Sequence, residues 1–364
     1  MNLLKTLTNP VYLKNLFRIK FEFKQPNKAD ILIYDNETTE RGYTDIFFKN
    51  KNKISFFNRL EKINLFILFK SLLFRKFNSL KENYIYHFFN YVKPKIVYTS
   101  IDNNPAFYLL KFIFPKAIYL SDQNGMRDNI FYDFCKKQIK EKKKKYICDY
   151  YFVFGDYEKK RTKKIINGKI LSLGNTKNNF FTIKKQKQKR IITYISSKIK
   201  LRPEMEKKIF TKLIKFCDKY KYKLYFLDRP GQNNKKLLEK IFKSSNWNYI
   251  KYKTNFTKYK ILSQSKLIAF AHSTLGYEFL SRGSKCISFN NRHYNYSNLS
   301  KMNKMGKFWC SPDKYEIVEK KLLEILNYTD REWKKIIKLY STKIMYYDKN
   351  NKNKKKIIYK ILND

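Results

Sequence analysis

Two stretches of the chain hold side chains spaced for work on a phosphorylated ligand. In Lys266 to Asn290 (KLIAFAHSTLGYEFLSRGSKCISFN), the bounded apolar run Leu267–Ala271 reads as a strand buried on both faces, followed by His272-Ser-Thr274 and a helix-period segment. A helix that begins at the carboxyl end of a buried parallel strand aims its free N–H groups and the positive end of its dipole into the crevice above the sheet. Phosphate binds there. Ser273 or Thr274 is expected to cap this helix. Glu278 falls one turn beyond Thr274 on the same face, where a carboxylate can accept hydrogen bonds from a ribose diol. His272 is placed to contact phosphate or act as an acid. The plainer reading is a βαβ unit with an ordinary cap, a strand-end histidine and a solvated glutamate.

The second stretch is Asp122-Gln-Asn-Gly-Met-Arg-Asp128, also at a strand's carboxyl end. Gly125 permits a tight turn, and Gln123, Asn124 and Arg127 offer donors to sugar hydroxyls or phosphate. Asp122 and Asp128 are the carboxylates within reach of an acceptor hydroxyl, so they are the candidate catalytic bases. A polar turn with an Asx motif is the alternative. Lesser candidates also follow strands: Asn175 in Gly174–Asn179 (GNTKNN), Ser197 after Ser196, and Arg229 after Asp228. Arg229 suits a donor phosphate or a surface ion pair.

These loops need a scaffold that sets strand ends side by side, and the chain alternates strand and helix patterns throughout, as a parallel sheet covered by helices requires. Strands are expected at 30–35, 95–100, 117–120, 150–154 and 169–173, and again at 191–196, 223–227, 248–252, 267–271 and 286–289. Helical patterns fill 56–92. In the second half they fall near 203–220, 233–244, 256–263, 274–282, 313–327 and 330–346. The fold class is therefore α/β, with two doubly wound Rossmann-like domains facing each other across a cleft. Residues 1–183 form the first, 184–190 (KKQKQKR) the linker and 191–348 the second with its closing helices. Residues 349–364 make a frayed basic tail.

A chain of 364 residues is long for one core, and its 31 Phe and 30 Tyr suffice to fill two. Its formal charge of +50 invites a polyanion, and the anionic face of a membrane is the expected partner. Much of that charge is discounted, because the lean on Lys, Asn, Ile, Phe and Tyr is what AT-rich coding imposes. The basic runs Lys136–Lys145 and Lys184–Arg190 come with no nucleic-acid-binding motif, so no specific nucleic acid is expected. The five cysteines and three histidines show no ligand spacing, so no metal or disulfide framework is expected. Met1–Lys20 lacks the apolar core of a signal peptide and no stretch is long enough to span a membrane, which implies a cytoplasmic protein. The apolar segment Ile63–Leu73, interrupted by Lys70, reads as a core helix or else an interfacial one.

Taken in order, Gln123-Asn-Gly-x-Arg127, Phe154-Gly155, Gly174–Asn179, Ser273-Thr-Leu-Gly-Tyr-Glu278 with Arg282-Gly283, and Gly306-Lys-Phe-Trp309 before Trp333 resemble bacterial surface-carbohydrate biosynthesis proteins of the GT-B glycosyltransferase type, relatives of capsule and Kdo transferases. The resemblance covers about residues 95 to 335. It implies metal-independent transfer of a sugar from a nucleotide-sugar donor to a glycan or lipid-linked acceptor. Ser273 and Thr274 would hold the phosphate and Glu278 the ribose, with no cofactor needed. His272 departs from the pattern, where a small or acidic residue is expected. Transfer of glycerol or ribitol phosphate is the rival within enzymes, though such enzymes carry His-Gly pairs and this chain has none. A basic nucleic-acid-binding protein on a Rossmann-like scaffold is the rival outside them.

Overall fold

The computed structural model describes residues 19–35, 41–56, 62–183, 189–196, 203–228, 233–242, 246–252, 254–271, 273–289 and 307–363. Its first half contains strands β1 (Lys20–Glu22), β2 (Ile31–Tyr34), β3 (Lys53–Phe56), β4 (Lys62–Asn64), β5 (Ile96–Thr99), β6 (Ile118–Asp122), β7 (Tyr146–Val153) and β8 (Ile166–Ser172). Helices α1 (Arg41–Phe48), α2 (Leu65–Leu73), α3 (Leu80–Val92), α4 (Leu110–Ile113), α5 (Asn129–Lys142), α6 (Asp156–Thr162) and α7 (Thr176–Phe180) lie between them. Six strands form one sheet in the order β3-β2-β5-β6-β7-β8, every pair parallel, while β1 and β4 make a separate two-stranded ribbon. The central segments ILIY and IVYT are buried at every position. That is the mark of a parallel strand covered by helices on both faces.

The second half repeats the plan with β9 (Lys189–Ile195), α8 (Pro203–Tyr220), β10 (Lys223–Leu227), α9 (Lys235–Ile241), β11 (Trp247–Ile250), α10 (Asn255–Ser263), β12 (Ser265–Phe270), α11 (Thr274–Ser281), β13 (Cys286–Phe289), β14 (Trp309–Cys310) and α12 (Tyr315–Asn327). These strands form a second all-parallel sheet, β11-β10-β9-β12-β13-β14. Strand order reverses between β9 and β12, so the ends of those two strands flank the crevice in which ligands of such sheets bind. Two doubly wound parallel sheets are present, as the alternation of patterns implied.

Two expectations are corrected. Lys189 and Arg190, assigned to the linker, already belong to β9; residues 184–188 lie outside the described residues. The segment from 349 onward is no frayed tail. After α13 (Asp330–Ile344), the chain leaves the second half, donates Tyr346 N–H to Phe154 O (2.7 Å), and enters α14 (Lys352–Asn363). Ile358 of α14 is buried among Ile31, Ile33, Ile96 and Tyr98 of the first sheet and Phe48 of α1. Amphipathic spacing in KIIYKIL supplied the apolar face, which the abundance of lysine masked.

The return of α14 also carries a charge inward. Lys354 is fully buried, and its Nζ donates to Asp122 Oδ1 (2.8 Å), Thr176 Oγ1 (2.6 Å) and Gly174 O (3.3 Å). Burial pushes this ammonium below its ordinary value, and Asp122 opposes that shift. Removing either partner strands the other charge in the interior, which costs about 3–5 kcal/mol. Lys354→Met is therefore expected to lower unfolding free energy by that amount in chemical denaturation. The double variant Lys354→Met, Asp122→Asn should recover much of it.

Candidate functional site

The described part of the site lies where the loop after β6 meets the opening of α11. Loop residue Met126 donates its backbone N–H to Thr274 Oγ1 at 3.2 Å, so the two halves touch at the residues singled out from sequence. Ser273 is the N-cap of α11 by backbone conformation, but its side chain makes no capping bond, and the first turn keeps its anion-attracting character. Gly276 lets this helix settle onto β12: a Cβ there would lie 2.2 Å from the ring of Phe270. A side chain at that position would lift the helix opening away from the seam.

The loop is held by a carboxylate that the spacing argument did not select. Asp102, fully buried after β5, accepts from Arg127 Nε (2.8 Å) and Nη2, from Tyr151 Oη (2.7 Å) and from the N–H of Asn124 (3.0 Å). Burial by itself would lower the Arg127 guanidinium, but Asp102 overrides it, and the pKa is raised. Arg127 Nη2 also reaches Asn124 Oδ1 at 2.6 Å, whereas Nη1 makes no hydrogen bond among the described residues. A methyl placed on Gly125 would sit 3.3 Å from that Nη1 and 3.9 Å from Thr274 Oγ1, so the guanidinium and the helix opening converge on the same glycine. From sequence, only the place of Asp102 just beyond a strand's carboxyl end could have pointed to it.

The other expected residues fall into three groups. Gln123 is buried in support of its own loop, its Oε1 accepting from Phe154 N–H (2.8 Å) and its Nε2 donating to Gly125 O (2.9 Å), so its donors are not offered to a ligand. Asp128 is the N-cap of α5, accepting from Phe131 N–H at 2.8 Å, and Asn175 is the N-cap of α7, accepting from Asn178 N–H at 3.0 Å. Asp122 is bound to Lys354, Thr176 and Tyr98, which removes it as a general base. Asn124, Asn175 and Thr176, with Tyr43, Tyr98 and Ser100, wall a cavity of about 20 Å³, room for about one water molecule.

Glu278 faces inward. It is only 2 % exposed and accepts a hydrogen bond from Tyr259 Oη, so the carboxylate assigned to a ribose diol is occupied by a phenol. Burial and then Glu278 raise that phenol well above its ordinary pKa, which keeps it a donor. Arg282 ties the end of α11 to the first half, Nε donating to Asn178 Oδ1 (2.6 Å) and Nη2 to Asn178 O and Phe181 O (2.6 Å). Ser196, at the end of β9, is buried and its hydroxyl has no partner among the described residues. His272, Ser197 and Arg229 lie outside the described residues. Among those described, no group of three or more His, Cys, Asp or Glu is placed to hold a metal ion, and no helix is long and apolar enough to cross a membrane.

Residues 204–362 match a family model described as a putative O-antigen biosynthesis protein. No curated protein matches the chain. Among solved structures, UDP-GlcNAc 2-epimerase from Neisseria meningitidis bound to UDP-GlcNAc is similar over 92% of this chain and 99% of its own, at 12% identity and a TM-score of 0.56. The S. aureus MnaA–UDP co-structure covers 93% of this chain and 97% of its own, at 12% identity and a TM-score of 0.58. The wall teichoic acid polymerase TagF covers 93% and 89%, at 12% identity and a TM-score of 0.50. The fold is thus of the GT-B kind, and the resemblance to surface-carbohydrate biosynthesis proteins is met again in the family model.

The seam makes a direct prediction. Gly276→Ala forces the methyl into the Phe270 ring and is expected to lower stability by about 1–3 kcal/mol, measured by denaturant unfolding. Asp102→Asn is expected to release the Arg127 fork and, through the weakened buried hydrogen bonds, to cost a further ~1–3 kcal/mol.

Proposed function

We propose that this chain, GT-B in fold and matched over its carboxy-terminal part to putative O-antigen biosynthesis proteins, moves a sugar from a nucleotide-sugar donor to a cell-surface glycan or lipid-linked acceptor. The observation that carries the reading is the convergence on Gly125 of Arg127 Nη1 and the opening turn of α11. Both present N–H donors, one from each half, and the phosphate oxygens of a departing nucleotide accept from such donors. A pre-set guanidinium and oriented amides stabilise that leaving group without a bound metal, so transfer independent of a divalent cation is part of the proposal. Ser273 and Thr274 act on the phosphate in this reading, with His272, Ser197 and Arg229 assigned to the donor from their places at strand ends.

The acceptor belongs to the O-antigen or capsule class and is met at the cytoplasmic face of the membrane. Because Asp122 and Asp128 are engaged within the first half, neither deprotonates the acceptor hydroxyl in this arrangement. Glu278 reaches a ribose only by exchanging its bond with Tyr259, so the diol competes with a phenol that burial keeps protonated.

Thermal unfolding with UDP-, GDP-, CMP- and CDP-linked sugars, and with single-stranded oligonucleotides, tests the proposal. One sugar nucleotide is expected to stabilise the fold, by about 2.7 kcal/mol at a hundred times its Kd. Thr274→Val and Arg127→Lys should each weaken that binding about tenfold, equal to ~1.4 kcal/mol. Stabilisation by oligonucleotides alone, or conversion of a UDP-sugar to its 2-epimer with no acceptor present, overturns it.

A further inference from the structure

Helix α2 is apolar on two opposite faces. Its sequence LFILFKSLL begins after Asn64, whose Oδ1 caps the Ile67 N–H at 3.1 Å. Ile67 and Ser71, one turn apart, are fully buried, and α2 packs on α3, β1 and β4. Helical spacing puts Phe69, Leu72 and Leu73 on the side away from Ile67 and Ser71. There Phe69 is 61% exposed, Leu73 58% and the following Phe74 57%. β1 adds exposed Phe21, and Phe23 just beyond it is 75% exposed. A helix hydrophobic all round belongs inside a protein, and this one is half outside. Exposed apolar side chains gathered on one helix face mark an interaction surface.

The charge around the patch selects the partner. Residues 62–81 contain Lys62, Lys70, Arg75, Lys76 and Lys81 and no Asp or Glu. Of the nearby carboxylates, Glu22 is neutralised by Lys62 (2.7 Å) and Glu82 lies in the first turn of α3. Lys70 lies 5.0 Å from the ring centroid of Phe74, and Lys76 lies 4.4 Å from that of Tyr86, so ammonium groups border the aromatic surface. Long cationic side chains beside exposed Phe and Leu match the boundary between anionic headgroups and acyl chains. We infer that the outer face of α2, with Phe74, docks flat on the anionic surface of a phospholipid bilayer. The inference rests on the proposed function only for why the acceptor would be found at that surface.

The test is cosedimentation of the full chain with vesicles of phosphatidylcholine, alone and mixed with phosphatidylglycerol, at low and high salt. The chain is expected to pellet with the mixed vesicles and to be released by salt. Phe69→Ser with Leu73→Ser should lower the partition coefficient by about tenfold or more, while Phe134→Ser, at an exposed site on α5, should leave it unchanged. Phe69→Trp keeps the surface apolar and should give blue-shifted emission with mixed vesicles. Three results overturn the inference: a wild-type chain that stays in solution with mixed vesicles, a double variant that pellets like wild type, or a dimer in size exclusion that the double variant dissociates. None of these readouts requires sugar transfer or donor binding, so this inference can fail while the proposed function stands, and the reverse.

Discussion

The ion pair between Lys354 and Asp122 is the constraint on which the site depends. Lys354 comes from the last helix of the chain and Asp122 from the strand end that opens the site loop, and both are withdrawn from water. Desolvation offsets most of what their attraction contributes, so such a pair specifies an arrangement more than it adds stability. Here it sets the register of α14 on the first sheet. Asp348 N–H to Asn179 Oδ1 (3.0 Å) and Asn351 Nδ2 to Thr176 O (3.0 Å) complete the same joint, beside the crossing from α13 to α14 at Tyr346. Gly174, with φ of +74°, sits where a Cβ would come 2.0 Å from Tyr346 O, so only glycine admits the returning chain.

A second buried carboxylate does different work. Asp102 occupies most of the Arg127 fork and fixes its plane, and Tyr151 donates to it from below. Arg161 extends the support by donating to Arg127 O at 3.0 Å, while its neighbour Glu158, pushed up by burial, pairs with Tyr132. The guanidinium is thus held before any ligand arrives, which limits the ordering cost of binding. Across the seam Arg282 clasps the carbonyls of Asn178 and Phe181. The two halves are joined by hydrogen bonds such as these and by a chain that passes from the first half to the second and returns at Tyr346.

The alternation of buried strands and amphipathic helices was legible almost throughout, because a strand covered on both faces reads as an unbroken apolar run. Lys223–Leu227, Cys286–Phe289 and Pro203–Tyr220 form where their patterns placed them. Short or irregular elements were not legible. The stretch 56–92 has a helical pattern, yet it holds β4 and the end of β3 before α2 and α3, since three or four residues are too few to show a period. GNTKNN has the composition of a loop but holds the N-cap and first residues of α7, because Asn and Gly mark turns and helix caps alike.

The amino-acid sequence by itself determined the fold class, the seam's two loops and the residue types gathered there, because strand ends and glycine turns are local facts. Tertiary structure alone decided which polar side chains remain available. Asp122 was lost to Lys354, Gln123 to Phe154 and Gly125, and Glu278 to Tyr259, each through a partner remote in sequence or hidden in the core. Asp102 gained its role the same way, through Arg127 and Tyr151. A buried polar group must find a partner, and which partner it meets depends on packing that no local pattern encodes.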